Sequence, residues 1–531
     1  MDANTLGTLI LGGGGVAVVV WVLNKIGKAL TAILEALATI AAVAVGVWLA
    51  VKAVGWAVRN LVTHWRTSIA AVLVVAWWLL LGWPSLAITA GVVTVALLVW
   101  RHFHRLSFDR SVGRRIRSWW QRWTIYARKL PRWIDACGLV VREHDRPIHV
   151  TVNPLARNKV RRQPKPHKAR VPKVLGVKSG PSWDEVRVRL VPGQTPEDFD
   201  AATRALATAR GVNRCQVREI KPNVVSIDFQ RRNLLTAAVP CRDLTELSTV
   251  PGAGIDLKKV YAGRTEYGTD WFLSLAGSHT LGAGATGAGK GSLMWCPLVS
   301  AAPAIRDGLV RPWGIDPKGM ELAYGRRIFG DRYAVTGKDA LGLLDELVAT
   351  MDKRKAEFAG KTRSVPVSRD NPLDVLEFDE IGTLTKYIGD RRLREQIIDR
   401  VALLTTQGRA LNVCVRGYVQ EPTKDTVPVR DLFPRRVCMR VAAKSHVTMV
   451  LGDQAHERGA WANRITEHEA GVGYLFGEGV REPLRVRVGW VPDETIKALE
   501  AFVTGDTGPG TGGTVLSMPT KPLPRNESGV A

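Results

Sequence analysis

The nine residues Gly284–Ser292, GATGAGKGS, decide how this chain is read. A phosphate-binding loop follows G-x-x-x-x-G-K-[ST]. Its glycines let the backbone turn N–H groups toward phosphates, its lysine adds a charge, and its hydroxyl ligates Mg²⁺. Gly284, Gly289 and Lys290 keep that spacing, but Gly291 stands where the hydroxyl belongs and Ser292 follows one place late. Such a loop needs a buried strand before it and a helix after it. SHTLGAG (278–284) is short and apolar enough for the strand, and KGSLMWCPLVSAA (290–302) has helical spacing, with Pro297 expected to kink it. The cradle Gly284, Ala285, Thr286, Gly287, Ala288, Gly289, Lys290, Gly291 and Ser292 is therefore expected to hold ATP.

Three further strand ends supply polar groups. LDVLEFDEIGTL (373–384) closes a strand on Asp379 and Glu380. A parallel sheet would set that end beside the loop, with Asp379 oriented on the Mg²⁺ shell and Glu380 polarising the attacking water. An acidic pair closing a strand is often just solvated; its place some ninety residues after a phosphate loop favours the catalytic reading. LVRPWGIDPKGMEL (309–322) ends a strand before Asp316, and NVCVRGYVQEP (412–422) ends one at Gln420. Ligands of doubly wound sheets sit at the carboxyl ends of strands. Asp316 and Gln420 are thus candidates for the nucleotide edge, and Gln420 suits a γ-phosphate sensor.

Taken in order, GATGAGKGS, IDPKGMEL, EFDEIGTL, TTQGRALNVCVRGYVQEPTKD and FPRRVCMRVAAKSH resemble the FtsK/SpoIIIE family of DNA-pumping ATPases. The variant loop, the apolar N-terminus and the overall size resemble most the Tra proteins of actinobacterial conjugative plasmids and integrative elements. The resemblance implies an α/β RecA-like motor that hydrolyses ATP with Mg²⁺, forms a homohexamer and moves double-stranded DNA. It implies that Lys290 contacts phosphate, Asp379 the metal shell, and that Glu380 is the base and Gln420 the sensor. An arginine acting between subunits is also implied; Arg409 in QGRA and Arg436 in FPRRV are the two candidates. With Gly291 in the hydroxyl position, either Ser292 reaches the metal through a shifted first turn or water takes the place. Chromosome segregation at division and protein secretion by a related motor are the competing functions.

Composition organises the rest. The formal net charge is +25, and between Arg101 and Lys173 twenty Lys/Arg face four Asp/Glu. Such a block points to a polyanion, nucleic acid or anionic lipid, with a solvated linker as the plain alternative. Four apolar runs precede it, Leu6–Leu23, Ala36–Val51, Ser68–Trp83 and Ser85–Trp100, each near the length of one bilayer crossing with its flanks. With the N-terminus in the cytoplasm, Lys52, Arg59, Arg66 and everything after Arg101 lie inside, so four spans keep both termini there; the alternative has three spans, with Leu30–Val58 along the interface as an amphipathic helix. Twelve of eighteen tryptophans lie before residue 134. Trp119, Trp120 and Trp123 among arginines read as a basic helix on the inner membrane surface. The six cysteines are isolated, as free thiols in a reducing cytosol would be.

The expected organisation is a transmembrane region of about four helices at 1–105, then a basic juxtamembrane helix and linker at 106–175. A small α+β domain follows at 176–250, the motor at 251–491, and a helix with a disordered tail at 492–531. The protein is expected in the cytoplasmic membrane with its motor inside. Because forty terminal residues cannot hold a winged-helix reader, DNA choice is expected in the motor or in a separate DNA-recognition protein.

Overall fold

The computed structural model describes residues 65–142, 169–477 and 480–505, with parts of 21–55. The chain divides into two compact units, 1–110 and 111–531.

In the first unit, helix α1 (Trp65–Phe103) is interrupted at Gly82, whose φ of 75° and ψ of 166° are not helical, two residues before Pro84. Its 39 residues would reach about 60 Å if straight, twice a hydrocarbon core. Leu79, Leu80 and Trp83 are exposed, as side chains facing lipid would be. Among the described residues one helix, Val72–Phe103, is long and apolar enough to cross a membrane, and Leu37–Lys52 is a shorter apolar helix. Where four spans were expected, the described residues thus hold one such helix. Leu6–Leu23 lies almost wholly outside the described residues, Ala36–Val51 falls in the shorter helix, and the last two runs share one element broken at Gly82.

The second unit opens with α2 (Arg114–Gln121) and α3 (Ala127–Ala136), joined by a π-helical turn. Tyr126, Leu130 and Ile134 recur every four residues, so they share one helical face, and all three are fully buried. They pack on a four-stranded sheet: β1 (Lys173–Ser179), β2 (Trp183–Arg189), β3 (Cys215–Lys221) and β4 (Val224–Gln230). Its order is β1-β2-β4-β3, antiparallel throughout. Between β2 and β3 lie α4 (Pro196–Ala201), started by a capping box of Thr195 and Asp198, and α5 (Thr203–Arg210), stopped by the left-handed Gly211. The Tyr126 hydroxyl donates to Asp184 Oδ2 over 3.0 Å, and Ser118 Oγ accepts the Ser179 N–H over 2.9 Å. The helices grouped with the linker at 106–175 thus belong to the small domain, and its first strand starts before 176.

The motor is built on a second sheet. Its strands are β5 (Val260–Thr265), β6 (Asp270–Leu273), β7 (Thr280–Ala283), β8 (Val310–Ile315), β9 (Tyr333–Ala334), β10 (Leu373–Phe378), β11 (Val413–Val419), β12 (Arg435–Met439), β13 (Val472–Gly477) and β14 (Val480–Trp490). They run in the order β9-β8-β10-β11-β7-β12-β13-β14-β5-β6. Neighbours from β9 to β12 are parallel and the remaining pairs antiparallel. Every residue of β7, β10 and β11 is buried, as strands covered on both faces require. The helices α6 (Lys290–Ser300), α7 (Gly337–Phe358), α8 (Arg391–Gln407), α9 (Lys444–Leu451) and α10 (Asp493–Thr504) cover it. The small domain is tied to the motor at Glu266, fully buried, which pairs with Arg214 and accepts the Arg485 N–H over 2.9 Å.

Candidate functional site

The loop leaves β7 between β11 and β12, so three parallel strand ends surround it. Its N–H groups at Gly284 and Ala285 donate to Val419 and Arg440 carbonyls, at 3.0 and 2.7 Å, which pins its start to both neighbours. Gly287 (φ 71°) and Gly289 (φ 96°) take left-handed conformations. At Gly289 a Cβ would lie 2.6 Å from the Gly471 nitrogen, so only glycine fits. The turn delivers the chain into α6 with no side-chain cap at Gly289. Uncapped first-turn N–H groups at a helix N-terminus suit an anion. Lys290 folds back over the loop, its Nζ donating to Gly284 and Ala285 carbonyls at 2.7 and 3.3 Å. Burial lowers its pKa while Glu380 and Asp379 pull it back up.

The acidic pair reaches the same place, one strand further out than adjacency would put it. β10 is separated from β7 by β11, the strand that carries Gln420. Gln420 bridges the gap: its N–H donates to Glu380 Oε1 over 3.2 Å, and its Oε1 accepts from the Thr286 hydroxyl over 3.2 Å. Glu380 adopts φ 45° and ψ 64°, a left-handed conformation costly for a side chain with a Cβ, which holds its carboxylate at the sheet edge. Its Oε2 is buried and accepts no hydrogen bond, with Lys318 Nζ at 3.5 Å. Asp379 is pushed up to about 6 by burial, with Asp316 adding to the effect.

Other expected residues behave differently. Asp316 spends both oxygens on its own loop, accepting the Gly319 and Leu322 N–H groups at 2.9 Å each, so it shapes the backbone instead of facing a nucleotide. Ser292 does not turn toward the loop mouth; its Oγ accepts the Val491 N–H over 3.4 Å. Arg409 and Arg436 lie near the amino ends of the central strands. Arg409 Nε donates to the Gly277 carbonyl over 3.1 Å, and Arg436 donates to the Phe433 and Val450 carbonyls.

Two residues escaped the sequence reading. Arg440 follows β12 and donates to the Thr286 carbonyl over 2.7 Å, clamping the loop; the strand FPRRVCMRV, running parallel to β7, was the available signal. Glu321 is the second. A Cβ built on Gly291 would collide with its Oε1 and lie 3.0 Å from its Cδ. Nothing local in IDPKGMEL foretells that approach.

The set fits a nucleotide with Mg²⁺: a glycine cradle with no room for a Cβ at Gly289 or Gly291, an ammonium over it, and a buried carboxylate oxygen beside it that accepts no hydrogen bond and faces Lys318. Among the described residues no three His, Cys, Asp or Glu side chains form a ready-made metal cage. That agrees with Mg²⁺, which is commonly held by one or two carboxylates plus phosphate oxygens.

The family model for the actinomycete conjugal transfer protein N-terminal domain matches residues 112–231, the small domain with its helices. The chain is 25% identical over 386 residues to the DNA translocase FtsK of Mycobacterium tuberculosis, covering 65% of this chain and 43% of that one. It thus spans less than half the length of that relative. It is 26% identical over 367 residues to the transfer protein TraSA of Streptomyces ambofaciens, covering 64% and 82%. Among solved structures it is similar to the pCW3 conjugation coupling protein TcpA with ATPγS, at 16% identity and TM-score 0.44, covering 63% and 93%. It is also similar to the cytoplasmic domain of the Thermomonospora curvata type VII secretion ATPase EccC, at 17% and 0.37, covering 49% and 34%. By sequence, the chain is thus similar to an FtsK translocase and to a conjugal transfer protein, and its small domain to the actinomycete conjugal transfer N-terminal domain.

Proposed function

We propose that this chain is a membrane-anchored ATPase that drives double-stranded DNA through a ring of six copies during conjugative transfer. One observation carries the reading: Lys290, Asp379, Glu380 and Gln420 converge on the carboxyl ends of three parallel strands in a chain related to a DNA translocase and a transfer protein.

In this reading the Lys290 ammonium exchanges its two carbonyl partners for phosphate oxygens when ATP enters. Glu380 Oε2, which accepts no hydrogen bond, takes the proton of the attacking water. Gln420 joins the loop at Thr286 to the base at Glu380, so loss of the γ-phosphate is felt at both. Mg²⁺, when bound, supplies positive charge at the phosphate oxygens, and Asp379 would help hold it. Arg409 or Arg436 reaches the neighbouring copy. The apolar helix Val72–Phe103 anchors the chain.

The test is ATP hydrolysis by the full chain with duplex DNA or with a candidate secretion peptide. Stimulation by duplex is expected, lost in Glu380→Gln although nucleotide still binds. Lys290→Ala should instead weaken nucleotide binding itself. Stimulation by peptide and none by duplex would overturn the DNA reading; wild-type turnover in Glu380→Gln would remove Glu380 as the base.

A further inference from the structure

Gly291 poses a chemical problem that the fold answers. The loop lacks its metal-ligating hydroxyl, and Ser292, roughly 100° further round the helix, is engaged with Val491. The space a side chain at 291 would occupy is filled from another loop. A Cβ there would collide with Glu321 Oε1 and lie 3.0 Å from Cδ and 3.2 Å from Oε2. A carboxylate oxygen therefore stands about where the hydroxyl of a conventional loop would begin.

The placement is built. Glu321 sits in the loop after β8, folded around Asp316 through the Gly319 and Leu322 N–H groups, with Gly319 at φ 62° making the turn. Its charge is felt at both Lys290 and Asp379, which puts it within the same site. Glu380 Oε2, on the same site, accepts no hydrogen bond and faces Lys318 Nζ at 3.5 Å. Resting on the ATP reading above, we infer that Glu321 replaces the missing loop hydroxyl and, with Asp379, holds the divalent cation that accompanies the nucleotide. Magnesium accepts such a substitution, since its protein ligands are oxygens and carboxylates serve as well as hydroxyls. Gly291 is then required for a positive reason: only glycine lets the carboxylate come in.

The experiment uses the full chain in detergent, with a fluorescent ATPγS analogue as the nucleotide and Mn²⁺ paramagnetic resonance as the metal probe. Glu321→Ala is expected to raise the Mg²⁺ concentration for half-maximal nucleotide binding by roughly tenfold or more, the scale of losing a supporting metal contact. Affinity measured in EDTA should stay unchanged, and Mn²⁺ binding should weaken in parallel. Gly291→Ser alone should also raise the Mg²⁺ concentration required, because hydroxymethyl and carboxylate compete for one volume. The double variant Gly291→Ser with Glu321→Ala should return to the wild-type range, with the hydroxyl restored and its rival removed. A Glu321 that merely packs beside Trp295 would show no such rescue. Wild-type Mg²⁺ titration in Glu321→Ala, or a double variant no better than Glu321→Ala, would overturn the assignment while leaving the ATP site standing. A wild-type chain that binds no analogue with or without Mg²⁺ would overturn the ATP reading itself.

Discussion

Two residues of the phosphate loop have roles that differ in kind. Gly289 combines a left-handed φ of 96° with a Cβ path 2.6 Å from the Gly471 nitrogen and 2.8 Å from its Cα. Gly289→Ala should cost about 2 to 4 kcal/mol, the sum of a strained backbone and overpacking against main chain. It should also abolish nucleotide binding, measured by denaturant unfolding and analogue titration; a stable variant that binds normally would contradict the geometry. Ser292 contributes one long hydrogen bond to Val491. Ser292→Ala should lose under about 1 kcal/mol and leave Mg²⁺ dependence alone. A steep new Mg²⁺ requirement in that variant would return the metal to Ser292.

At the scale of elements, Pro297 breaks α6 chemically without bending it out of place. Proline has no N–H, so the Leu293 carbonyl four residues earlier loses its helical donor. Arg416, on β11 and fully buried, supplies the missing donor: its guanidinium reaches the Leu293 carbonyl over 2.7 Å and the Met294 carbonyl over 3.2 Å. Its charge is met by Glu377, whose pKa burial raises against the pull of Arg416. Arg416→Met strands both the carboxylate and the carbonyl, so about 3 to 5 kcal/mol should be lost. Pro297→Ala restores a helical donor and should recover about 1 kcal/mol of that loss in the double variant. Additive losses would dissociate the two residues.

His279, before β7, accepts the Val415 N–H at its Nδ1 over 3.0 Å. Burial, aided by the Arg409 charge, lowers it to about 4. A folded-state pKa below the unfolded value near 6.5 means the unfolded chain takes up the proton first. Stability is therefore intact above about 6.5 and declines as pH falls toward 4, by up to about 3 kcal/mol. Unfolding midpoints of His279→Gln should fall less than wild type between pH 7 and 4.5; parallel curves would exclude His279 as the acid-sensitive group.

For the whole molecule, the basic segment has two faces. Tyr126, Leu130 and Ile134 are buried in the small domain, whereas Ile116, Trp119, Trp120 and Trp123 are 53 to 62% exposed beside Arg115, Arg128 and Lys129. Apolar rings rimmed by cations suit an anionic lipid surface. Binding of the full chain to anionic vesicles should weaken as salt rises, with a shallower slope when Arg115, Arg128 and Lys129 are changed to Gln. Replacing the three tryptophans with Ser should lower affinity without changing that slope. Salt-dependent binding to duplex and none to vesicles would assign the face to nucleic acid.

Sequence alone determined the strands at Leu373–Phe378 and Val413–Val419, the loop and the helix after it. Each is written in local chemistry: unbroken apolar runs, glycines at fixed offsets, and a proline where a strand stops. Lys290, Asp379, Glu380 and Gln420 were legible because strand ends in a parallel sheet share one edge. Tertiary structure alone decided that β11 separates the acidic pair from the loop, that Arg440 clamps Thr286, and that Glu321 fills the place of the missing hydroxyl. It also decided that the helices Arg114–Ala136 pack on the small sheet, although their charge suggested a helix lying on the membrane surface. These depend on which distant segments the fold brings together. No propensity or spacing within one segment encodes that, because the contact energies belong to pairs far apart in the chain.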